Sequence, residues 1–451
     1  MTARSSSTRA SVPVSRSRRR HAVIVGAGPV GCLAARLFSA HGYTVELVEK
    51  RPDPRVHGTG SSGRTINLSV SPRGVNALTA LGCRDALKAA VPMDRRIIHT
   101  ADGRRTATCY DTESWRNHSV ARSTLNHALL QESLASRGVR VRFATRCSRI
   151  NFEQQSLTLT DGSGRAESVG YDVLVGADGA YSTVRQHLAD QNMLAATASV
   201  LDSAYKELTL TPRPGALHRT AIHVWPRRGF FLVALPDTAG TFRGTLVLPR
   251  DDFDLLQTGK PVREFVHQHF PDVEEDFTAL SQEFGCNPVS RITTASCDAV
   301  SWRDSVILMG DAAHTVAPFL GQGVNLGFED CLVLHHLLGD YRLRADALAQ
   351  YSGDRTINGV AAAALSMDNY SELTGQALTP AVTALPPKPA QGPAVPPAPI
   401  LVNFLGLSYS EAFARLHSAR TDRPATEPVG SARGVSHPPI AVTSPTEWSP
   451  T

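Results

Sequence analysis

Cysteine is scarce in this sequence and forms no recognisable pattern. The 451 residues include seven cysteines, spread singly along the chain with no C-x-x-C pair. An odd number of widely spaced cysteines argues against both a disulfide framework and a zinc site, so no metal is expected. Free thiols also indicate a reducing compartment, which makes the cytoplasm the expected location.

Long apolar runs and a secretory signal are also missing. No apolar stretch reaches the roughly 18 to 20 residues that span a bilayer, so no membrane anchor is expected. Much of the formal net charge of +5 comes from residues 1–20, which hold several Arg and no acid. This leader lacks aromatic residues that could stack on bases, so it is expected to be disordered and solvated, without a nucleic-acid partner. A mitochondrial transit peptide is the alternative, although the leader has no apolar helical face.

The order of the predicted elements indicates two interlocked domains. Strand, tight turn, helix and strand follow one another over residues 21–50, and the same α/β pattern returns after Trp302. Between them, strand-like runs separated by Pro and Gly predict an antiparallel sheet. The expected units are a leader at 1–20, a discontinuous α/β domain at 21–195 and 290–345, an inserted sheet domain at 196–289 with contributions from 91–118, a partly helical C-terminal segment with a Pro-rich linker at 346–420, and a disordered tail at 421–451.

A glycine-rich motif, G-A-G-P-V-G at residues 26–31, lies between the first strand and the first helix. Gly26 would allow the tight turn, Gly28 would let a pyrophosphate approach the backbone, and Gly31 would let helix and strand pack closely. Glu49, at the end of the next strand, is positioned to accept hydrogen bonds from a ribose. In this context the motif predicts a dinucleotide-binding site.

A second glycine-rich segment indicates which dinucleotide binds. The strand at residues 305–309 ends in Gly310-Asp311, and the sequence P-F-L-G-Q-G-V-N follows at 318–325. An Asp directly after a buried strand can bind a polyol, and the glycines leave space for a flat ring. A helix beginning near Val324 would direct its positive end at that ring and stabilise an anionic reduced flavin.

Together with Asp178-Gly179 and Arg122, these segments resemble the FAD signatures of the para-hydroxybenzoate hydroxylase-like flavoproteins. The resemblance implies a Rossmann-like, glutathione-reductase-like FAD-binding domain with an inserted substrate sheet. A helix cap is the alternative role for Asp311, and a surface salt bridge is the alternative for Arg122. The implied cofactor-binding residues are Gly26, Gly28, Gly31, Glu49, Ser69, Arg122, Cys147, Asp178, Asp311, Val324 and Asn325, with a flavin-facing loop of Pro318, Phe319, Gln322 and Gly323.

Within these flavoproteins the chain most resembles the kynurenine 3-monooxygenase family, from about residue 21 to 372. The matching segments are residues 63–69 (G-R-T-I-N-L-S), 92–93 (P-M), 96–99 (R-I-I-H), 178–185 (D-G-A-Y-S-T-V-R), 223–227 (H-V-W-P-R), 318–323 (P-F-L-G-Q-G), 327–331 (G-F-E-D-C) and 365–370 (L-S-M-D-N-Y). This resemblance implies that Arg96, Tyr110 and Asn369 bind the amino-acid end of a small aromatic substrate. The alternatives are pairing of Arg96 with Asp94 or a surface acid, core packing of Tyr110 and a helix cap at Asn369.

One part of the chain departs from the family pattern. The family supplies a further substrate-facing Tyr from a helical C-terminal segment, whereas residues 399–404 contain no Tyr. The Pro-rich stretch at 384–399 replaces the helix that precedes it in the family. The identity of the substrate therefore depends on Arg96, Tyr110 and Asn369.

The implied reaction is reduction of FAD by NADPH, reaction with O2 and transfer of one oxygen atom to an electron-rich ring. No catalytic dyad is expected, because the cofactor carries the chemistry. His314 is either a proton shuttle or structural. With one dinucleotide motif, NADPH is expected to bind transiently, and NADH is the alternative.

Other functions are also compatible with the sequence. The arene could be another tryptophan-derived or anthranilate-like compound. A flavoprotein that binds FAD and a ligand without turnover is a further alternative. A flavin-dependent halogenase is disfavoured because no W-x-W-x-I-P motif occurs. No oligomeric state is predicted.

Overall fold

The computed structural model describes residues 20–57, 66–110, 116–256, 260–273, 277–375, 402 and 407–421. The leader before Arg20, the Pro-rich linker at 384–399 and the tail after Thr421 lie outside the described residues. The strands are β1 (His21–Val25), β2 (Thr44–Val48), β3 (Asn67–Val70), β4 (Val91–Met93), β5 (Arg95–His99), β6 (Arg105–Cys109), β7 (Asn117–Ala121), β8 (Val139–Arg142), β9 (Thr145–Asn151), β10 (Ser156–Asp161), β11 (Ala166–Gly170), β12 (Val173–Gly176), β13 (Ala196–Leu210), β14 (Ala221–Arg227), β15 (Phe230–Pro236), β16 (Phe242–Pro249), β17 (Ser290–Cys297), β18 (Ser301–Trp302) and β19 (Val306–Leu308).

Helices connect and cover these strands. The α-helices are α1 (Pro29–Ala40), α2 (Pro54–His57), α3 (Pro72–Ala80), α4 (Arg122–Ala135), α5 (Thr183–Asp190), α6 (Arg250–Leu255), α7 (Lys260–His269), α8 (Phe277–Cys286), α9 (Gly323–Asp340), α10 (Arg344–Thr374) and α11 (Tyr409–Thr421). Short 3-10 helices cover Arg84–Leu87, Gly310–Ala312 and Pro318–Leu320. Within the described part of the chain, no helix combines the length and apolar character that a membrane crossing requires.

The first sheet has the strand order β18-β19-β12-β1-β2-β8 and is parallel except at β18. Its central strands β1 and β12 are apolar and almost completely buried, as expected for a sheet with helices on both faces. Strand β1 pairs with β2 on one side and with β12 on the other, so the order in which strands are added to the sheet reverses beside β1. In open α/β sheets, ligands bind at such a reversal, at the carboxyl ends of the strands.

The second sheet has the order β17-β13-β16-β15-β14-β5-β6. Its pairs are antiparallel except β5 and β14, which are parallel. One face packs against Val262, Phe265, Phe270, Leu280 and Phe284 around α7 and α8. The predicted α/β class with an inserted sheet is confirmed. Strand β17 bonds to this sheet, although the division expected at residue 290 assigns it to the first domain; the domain boundaries stay a prediction.

Two small antiparallel sheets and the C-terminal helices complete the described fold. The small sheets have the orders β3-β7-β4 and β11-β10-β9. Helix α10 packs against both α9 and α11. Residues on α9, α10 and α11 share an apolar cluster that includes Leu326, Leu365 and Tyr409. The C-terminal helix is therefore attached to the helix that follows the second glycine-rich loop.

Candidate active site

The glycine-rich turn after β1 has two glycines that the fold requires and one that borders open space. Gly26 has a φ of 103°, and a Cβ there would lie 2.4 Å from the Ala177 carbonyl oxygen. A Cβ on Gly31 would lie 1.8 Å from the Gly26 oxygen, so the helix could not approach the turn. A Cβ on Gly28 would meet no described atom within 4 Å, and Gly28 lines a cavity. The space beside Gly28 suits a ligand that approaches the backbone closely.

Glu49 braces this turn from the end of β2. Its Oε2 accepts a 3.0 Å hydrogen bond from the Ala27 amide, and its Oε1 accepts 2.9 Å bonds from the backbone and guanidinium of Arg51. Burial alone would raise the pKa of Glu49, but the hydrogen bonds and charge of Arg51 outweigh burial and lower it. The carboxylate is therefore charged and well bonded, and a ribose would have to share it with Arg51 or displace that side chain.

A cavity of about 370 Å³ lies between the carboxyl edge of the first sheet and one face of the second. The second sheet contributes alternate residues of neighbouring strands, because side chains two positions apart share a face. These include Ile222, Val224, Phe231, Val233, Leu235 and Val247. The opposite wall carries Gly28 and the loop from Pro318 to Val324. An apolar cavity of this size with few polar groups is typical of a site for small aromatic ligands.

The side chains of Asp311 and Arg122 line this cavity as ionisable groups. Among the described residues, neither side chain makes a hydrogen bond or an ion pair with the protein. Burial raises the pKa of Asp311, against the lowering effect of Arg122, His314 and Arg185. Within the described part of the chain Asp311 makes no helix-capping bond and Arg122 forms no salt bridge, which disfavours both alternative roles. The two side chains remain available to polar groups of a ligand.

Helix α9 begins at the cavity. The 3-10 turn Pro318–Leu320 is followed by Gly321 in the left-handed conformation, with a φ of 66°, and α9 starts at Gly323. Its first residues Gly323 and Val324 line the cavity, as do Phe319 and Gln322. The free amides and the positive end of the helix dipole therefore face the cavity and favour negative charge there.

Asn325 supports this loop with its side chain and does not line the cavity. Its Oδ1 accepts a 2.9 Å bond from the Ser71 amide, and its Nδ2 donates to the carbonyl oxygens of Ser69 at 2.9 Å and Gly321 at 3.1 Å. Ser69 itself borders the cavity. Because the carboxamide of Asn325 is fully used by backbone groups, it ties β3 to the start of α9.

Asp178 and Cys147 lie outside the cavity wall. The Asp178 carboxylate accepts hydrogen bonds from the Ser182 hydroxyl at 2.5 Å and the Thr183 amide at 2.6 Å, at the start of α5. Burial and the charge of Asp178 raise the pKa of the Cys147 thiol to about 12. Cys147 is therefore an unreactive thiol.

Arg96 and Tyr110 reach the cavity from β5 and from the end of β6. The Asp94 carboxylate pairs with Arg95 at 2.8 Å, so the alternative that Arg96 pairs with Asp94 is wrong. Among described residues no carboxylate lies within 4.0 Å of the Arg96 guanidinium. Burial lowers the pKa of Arg96, and the neighbouring Tyr110 and Glu372 raise it. Burial raises the pKa of Tyr110 to about 12, so its phenol keeps its proton.

Asn369 faces the same cavity from the interior of α10, so its predicted alternative role as a helix cap is wrong. Its Nδ2 donates a 2.7 Å hydrogen bond to the Phe319 carbonyl oxygen. Its Oδ1 is buried and has no hydrogen-bond partner among the described residues. This oxygen is an unused acceptor beside the cavity, and a buried acceptor without a donor costs about 1 to 3 kcal/mol.

His314 belongs to a buried ionic cluster behind Asp311. Its Nε2 lies 2.8 Å from Asp330 Oδ2, and Asp330 also accepts 2.7 Å bonds from the Gly310 amide and from Arg355 Nε. Burial alone would raise the pKa of Asp330, but the charges of His314 and Arg355 lower it to about 2. His314 does not line the cavity, which favours the structural role over a proton shuttle. Asp330 and Arg355 were not recognised from the sequence as site residues, because a cluster across α9 and α10 has no local motif.

The C-terminal helix supplies a tyrosine that the sequence pattern did not reveal. The hydroxyl of Tyr409, a fully buried residue, donates a 3.0 Å hydrogen bond to Gln322 Oε1. The Arg73 guanidinium covers the Tyr409 ring at 4.3 Å and also bonds to Glu329 and to the Leu407 carbonyl oxygen. Of the region 399–404 where the family's Tyr is missing, only Val402 lies within the described residues.

These features fit FAD. Gly28 leaves room for a pyrophosphate, Asp311 and Arg122 offer unused polar groups, and α9 directs its amino end at an apolar space for a flat ring. Among the residues described, no group of His, Cys, Asp and Glu could hold a metal ion.

Comparison with known proteins identifies the family. Residues 19–365 match the FAD binding domain family. Kynurenine 3-monooxygenase of Salinispora arenicola is 37% identical over 365 residues, 79% of this chain and 80% of the relative. The enzyme of that name from Sus scrofa is 34% identical over 362 residues, 79% of this chain and 77% of the relative.

Solved structures share the fold at lower identity. The tetrameric form of 2-methyl-3-hydroxypyridine-5-carboxylic acid oxygenase has a TM-score of 0.65 at 22% identity, covering 81% of this chain and 95% of that one. The p-nitrophenol 4-monooxygenase PnpA from Pseudomonas putida has a TM-score of 0.64 at 20% identity, covering 80% and 91%. By sequence and fold, the chain belongs to the kynurenine 3-monooxygenase family of FAD-dependent monooxygenases.

Proposed function

We propose that the protein hydroxylates L-kynurenine to 3-hydroxykynurenine, with bound FAD, NADPH as electron donor and O2 as oxygen source. The observation that carries the proposal is the polar end of the apolar cavity, where Arg96, Tyr110 and Asn369 line the same space. Among the described residues, Arg96 has no carboxylate partner and Asn369 Oδ1 has no hydrogen-bond donor. These groups match the two charges of an amino acid. The names of the relatives point to the same substrate.

The proposed recognition follows from the chemistry of these side chains. A guanidinium grips a carboxylate through two parallel hydrogen bonds, and the protonated phenol of Tyr110 donates a third. The Asn369 oxygen accepts from the ammonium group, which removes the cost of leaving it unbonded. The aromatic ring then extends along the apolar face of Val224, Phe231 and Val247.

We infer that FAD is held by the Gly26–Gly31 turn, Glu49, Arg122 and Asp311, with its ring beside the loop of Pro318, Phe319, Gln322 and Gly323. Asp178 supports the start of α5 from outside the cavity wall. Bound FAD, once reduced, supplies the oxygen-transfer chemistry. The protein excludes water with the apolar sheet face and stabilises negative charge with the amino end of α9. No protein base is assigned, because the amino group of an aniline ring activates the ring by itself.

We also propose that the protein acts in the cytoplasm and takes electrons from NADPH. All seven cysteines are free thiols, which supports the reducing cytoplasm. NADPH is expected to bind transiently, since the chain has one dinucleotide motif.

The experiment is an NADPH oxidation assay on purified FAD-loaded protein. L-kynurenine should accelerate oxidation and give a product about sixteen mass units heavier, the gain of one oxygen atom. Anthranilate and the analogue of L-kynurenine that lacks the carboxylate should have much weaker effects, since neither satisfies both Arg96 and Asn369. Stronger stimulation by anthranilate would favour the alternative arene, and tight ligand binding without turnover would favour the binding flavoprotein.

A further inference from the structure

On the face of the second sheet opposite the cavity, one carboxylate accepts hydrogen bonds from three neighbouring strands. Asp272 accepts from His99 of β5 at 2.7 Å, from Arg105 of β6 at 2.9 Å and from the Trp225 indole of β14 at 2.9 Å. His99 and Trp225 are almost completely buried, and their rings stack at 4.3 Å. Burial alone would raise the pKa of Asp272, but its bonds to His99 and Trp225 and the charges of His99 and Arg105 lower it.

Three hydrogen bonds run in series from this carboxylate. His99 Nδ1 lies 2.7 Å from Asp272 Oδ2, His99 Nε2 lies 2.8 Å from His223 Nδ1, and His223 Nε2 lies 3.0 Å from the His218 carbonyl oxygen. Both ends of the series are acceptors, and each of the three contacts needs one proton. Two neutral imidazoles carry only two N–H protons between them. The series therefore holds a third proton.

The neighbours of each ring determine where that proton lies. Asp272 already accepts from Trp225 and from the Arg105 guanidinium, which favours an ionised carboxylate beside a charged imidazole. Burial lowers the pKa of His223 to about 4, so His223 stays neutral and its Nδ1 accepts from His99. His99 is the ring that carries protons on both nitrogens.

This network lies behind the residues proposed to bind the substrate carboxylate. Arg96 and His99 are three positions apart in β5, so they point to opposite faces of the sheet. Tyr110 directly follows β6, which pairs with β5 as an exposed strand at the edge of the sheet. Backbone pairing joins the hairpin of residues 95–110 to β14 through Arg95, Arg96, Ile97 and Ile98.

We propose that Asp272 and a doubly protonated His99 are positioning residues that fix the hairpin of residues 95–110, and with it Arg96 and Tyr110, against β14. The inference rests on the proposed binding of the substrate carboxylate by these two residues. Neither His99 nor Asp272 lines the cavity. They act by holding β5, whose opposite face presents the Arg96 guanidinium to the cavity.

The test compares Asp272→Asn with Asp237→Asn in the FAD-loaded enzyme. Asp237 is a matched control because its carboxylate, in the turn between β15 and β16 of the same sheet, accepts from the backbone amides of Ala239 and Thr241 and pairs with Arg243. In Asp272→Asn, amide hydrogen exchange should rise in residues 95–110. The KM for L-kynurenine should rise about tenfold with kcat changed much less, which is the pattern of lost binding. The analogue without the carboxylate should show no such change, and Asp237→Asn should show neither effect.

Nitrogen-15 NMR of histidine-labelled wild-type enzyme tests the protonation state without any variant. Both ring nitrogens of His99 should carry protons at neutral pH, whereas a single proton would overturn the inference. Unchanged hydrogen exchange in residues 95–110 of Asp272→Asn would also overturn it. If that variant does not fold, His99→Gln, which keeps a donor but removes the charge, takes its place. A wild-type enzyme that does not respond to L-kynurenine would instead contradict the proposed function, and the exchange and NMR results would still decide the inference.

Discussion

The hydroxyl of Tyr409 donates a buried 3.0 Å hydrogen bond to Oε1 of Gln322, 87 residues earlier in the chain. Gln322 lines the cavity at the start of α9, and Tyr409 is the first residue of α11. The bond links the C-terminal helix to the loop that we propose faces the flavin. It also provides a tyrosine beside the site, although the family's expected position contains none.

Tyr409→Phe should lower the fraction of NADPH oxidation that yields hydroxylated product, because the Gln322 side chain loses one of the hydrogen bonds that hold it. Loss of this buried hydrogen bond should also reduce the free energy of unfolding by about 0.5 to 1.5 kcal/mol. Product formed per NADPH consumed and urea denaturation measure the two effects. Tyr171→Phe is the matched control, because the Tyr171 hydroxyl is buried without a partner among the described residues. Equal behaviour of the two variants would contradict a role for the Tyr409 bond.

Substitutions in the glycine-rich turn should separate folding from cofactor binding. Gly28→Ala should leave the FAD-free protein as stable as wild type, because the added Cβ meets no described atom within 4 Å. It should weaken FAD binding by roughly tenfold or more, about 1.4 kcal/mol. Gly31→Ala should instead destabilise the FAD-free protein by about 3 kcal/mol, since its Cβ clashes with the Gly26 backbone. Thermal unfolding without FAD and titration with FAD check both. Normal FAD affinity in Gly28→Ala would mean that the pyrophosphate binds elsewhere.

Arg96→Ala should raise the KM for L-kynurenine by about 30-fold or more, which corresponds to roughly 2 kcal/mol for a lost buried charge contact. FAD content should not change. Arg95→Ala is the control, because Arg95 pairs with Asp94 and does not line the cavity. Steady-state kinetics and flavin absorbance provide the measurements. Loss of flavin with an unchanged KM would show that Arg96 is structural.

Because of the ionic cluster around Asp330, the free energy of unfolding should decrease at acid pH. The folded pKa of Asp330 is about 2, below the value of roughly 3.9 for an unfolded chain. The carboxylate therefore contributes stability above about pH 4, and this contribution is lost as pH falls towards 2. This difference of about 1.9 pKa units is equivalent to about 2.6 kcal/mol. Urea unfolding between about pH 6 and 3 should show a smaller acid dependence in Asp330→Asn than in wild type. The same dependence of the unfolding free energy on pH in Asp330→Asn and wild type would contradict a lowered pKa of Asp330.

The cofactor-binding residues could be proposed from local motifs, because backbone chemistry determines such motifs. The turn at Gly26 and the Asp311 loop depend on residues adjacent in sequence, and each follows a buried apolar strand. Strands β9 and β11 were not predicted, since their exposed polar residues lack the alternation of apolar side chains that marks a half-buried strand.

Contacts between distant segments could not be predicted. The Asp272 and His99 pair spans 173 residues, and the Tyr409 and Gln322 pair spans 87. Whether Arg95 or Arg96 reaches the cavity depends on the register of β5 against β14. A parallel pairing in an otherwise antiparallel sheet has no sequence signature.

The most direct test of the proposed activity is oxygen-18 labelling. FAD-loaded protein is incubated with NADPH, L-kynurenine and oxygen-18 gas, and the product is analysed by mass spectrometry. Kynurenine hydroxylation predicts one product about eighteen mass units heavier than L-kynurenine, with the label on the aromatic ring. NADPH consumption without labelled product, or labelling of a different arene in preference to L-kynurenine, would contradict it.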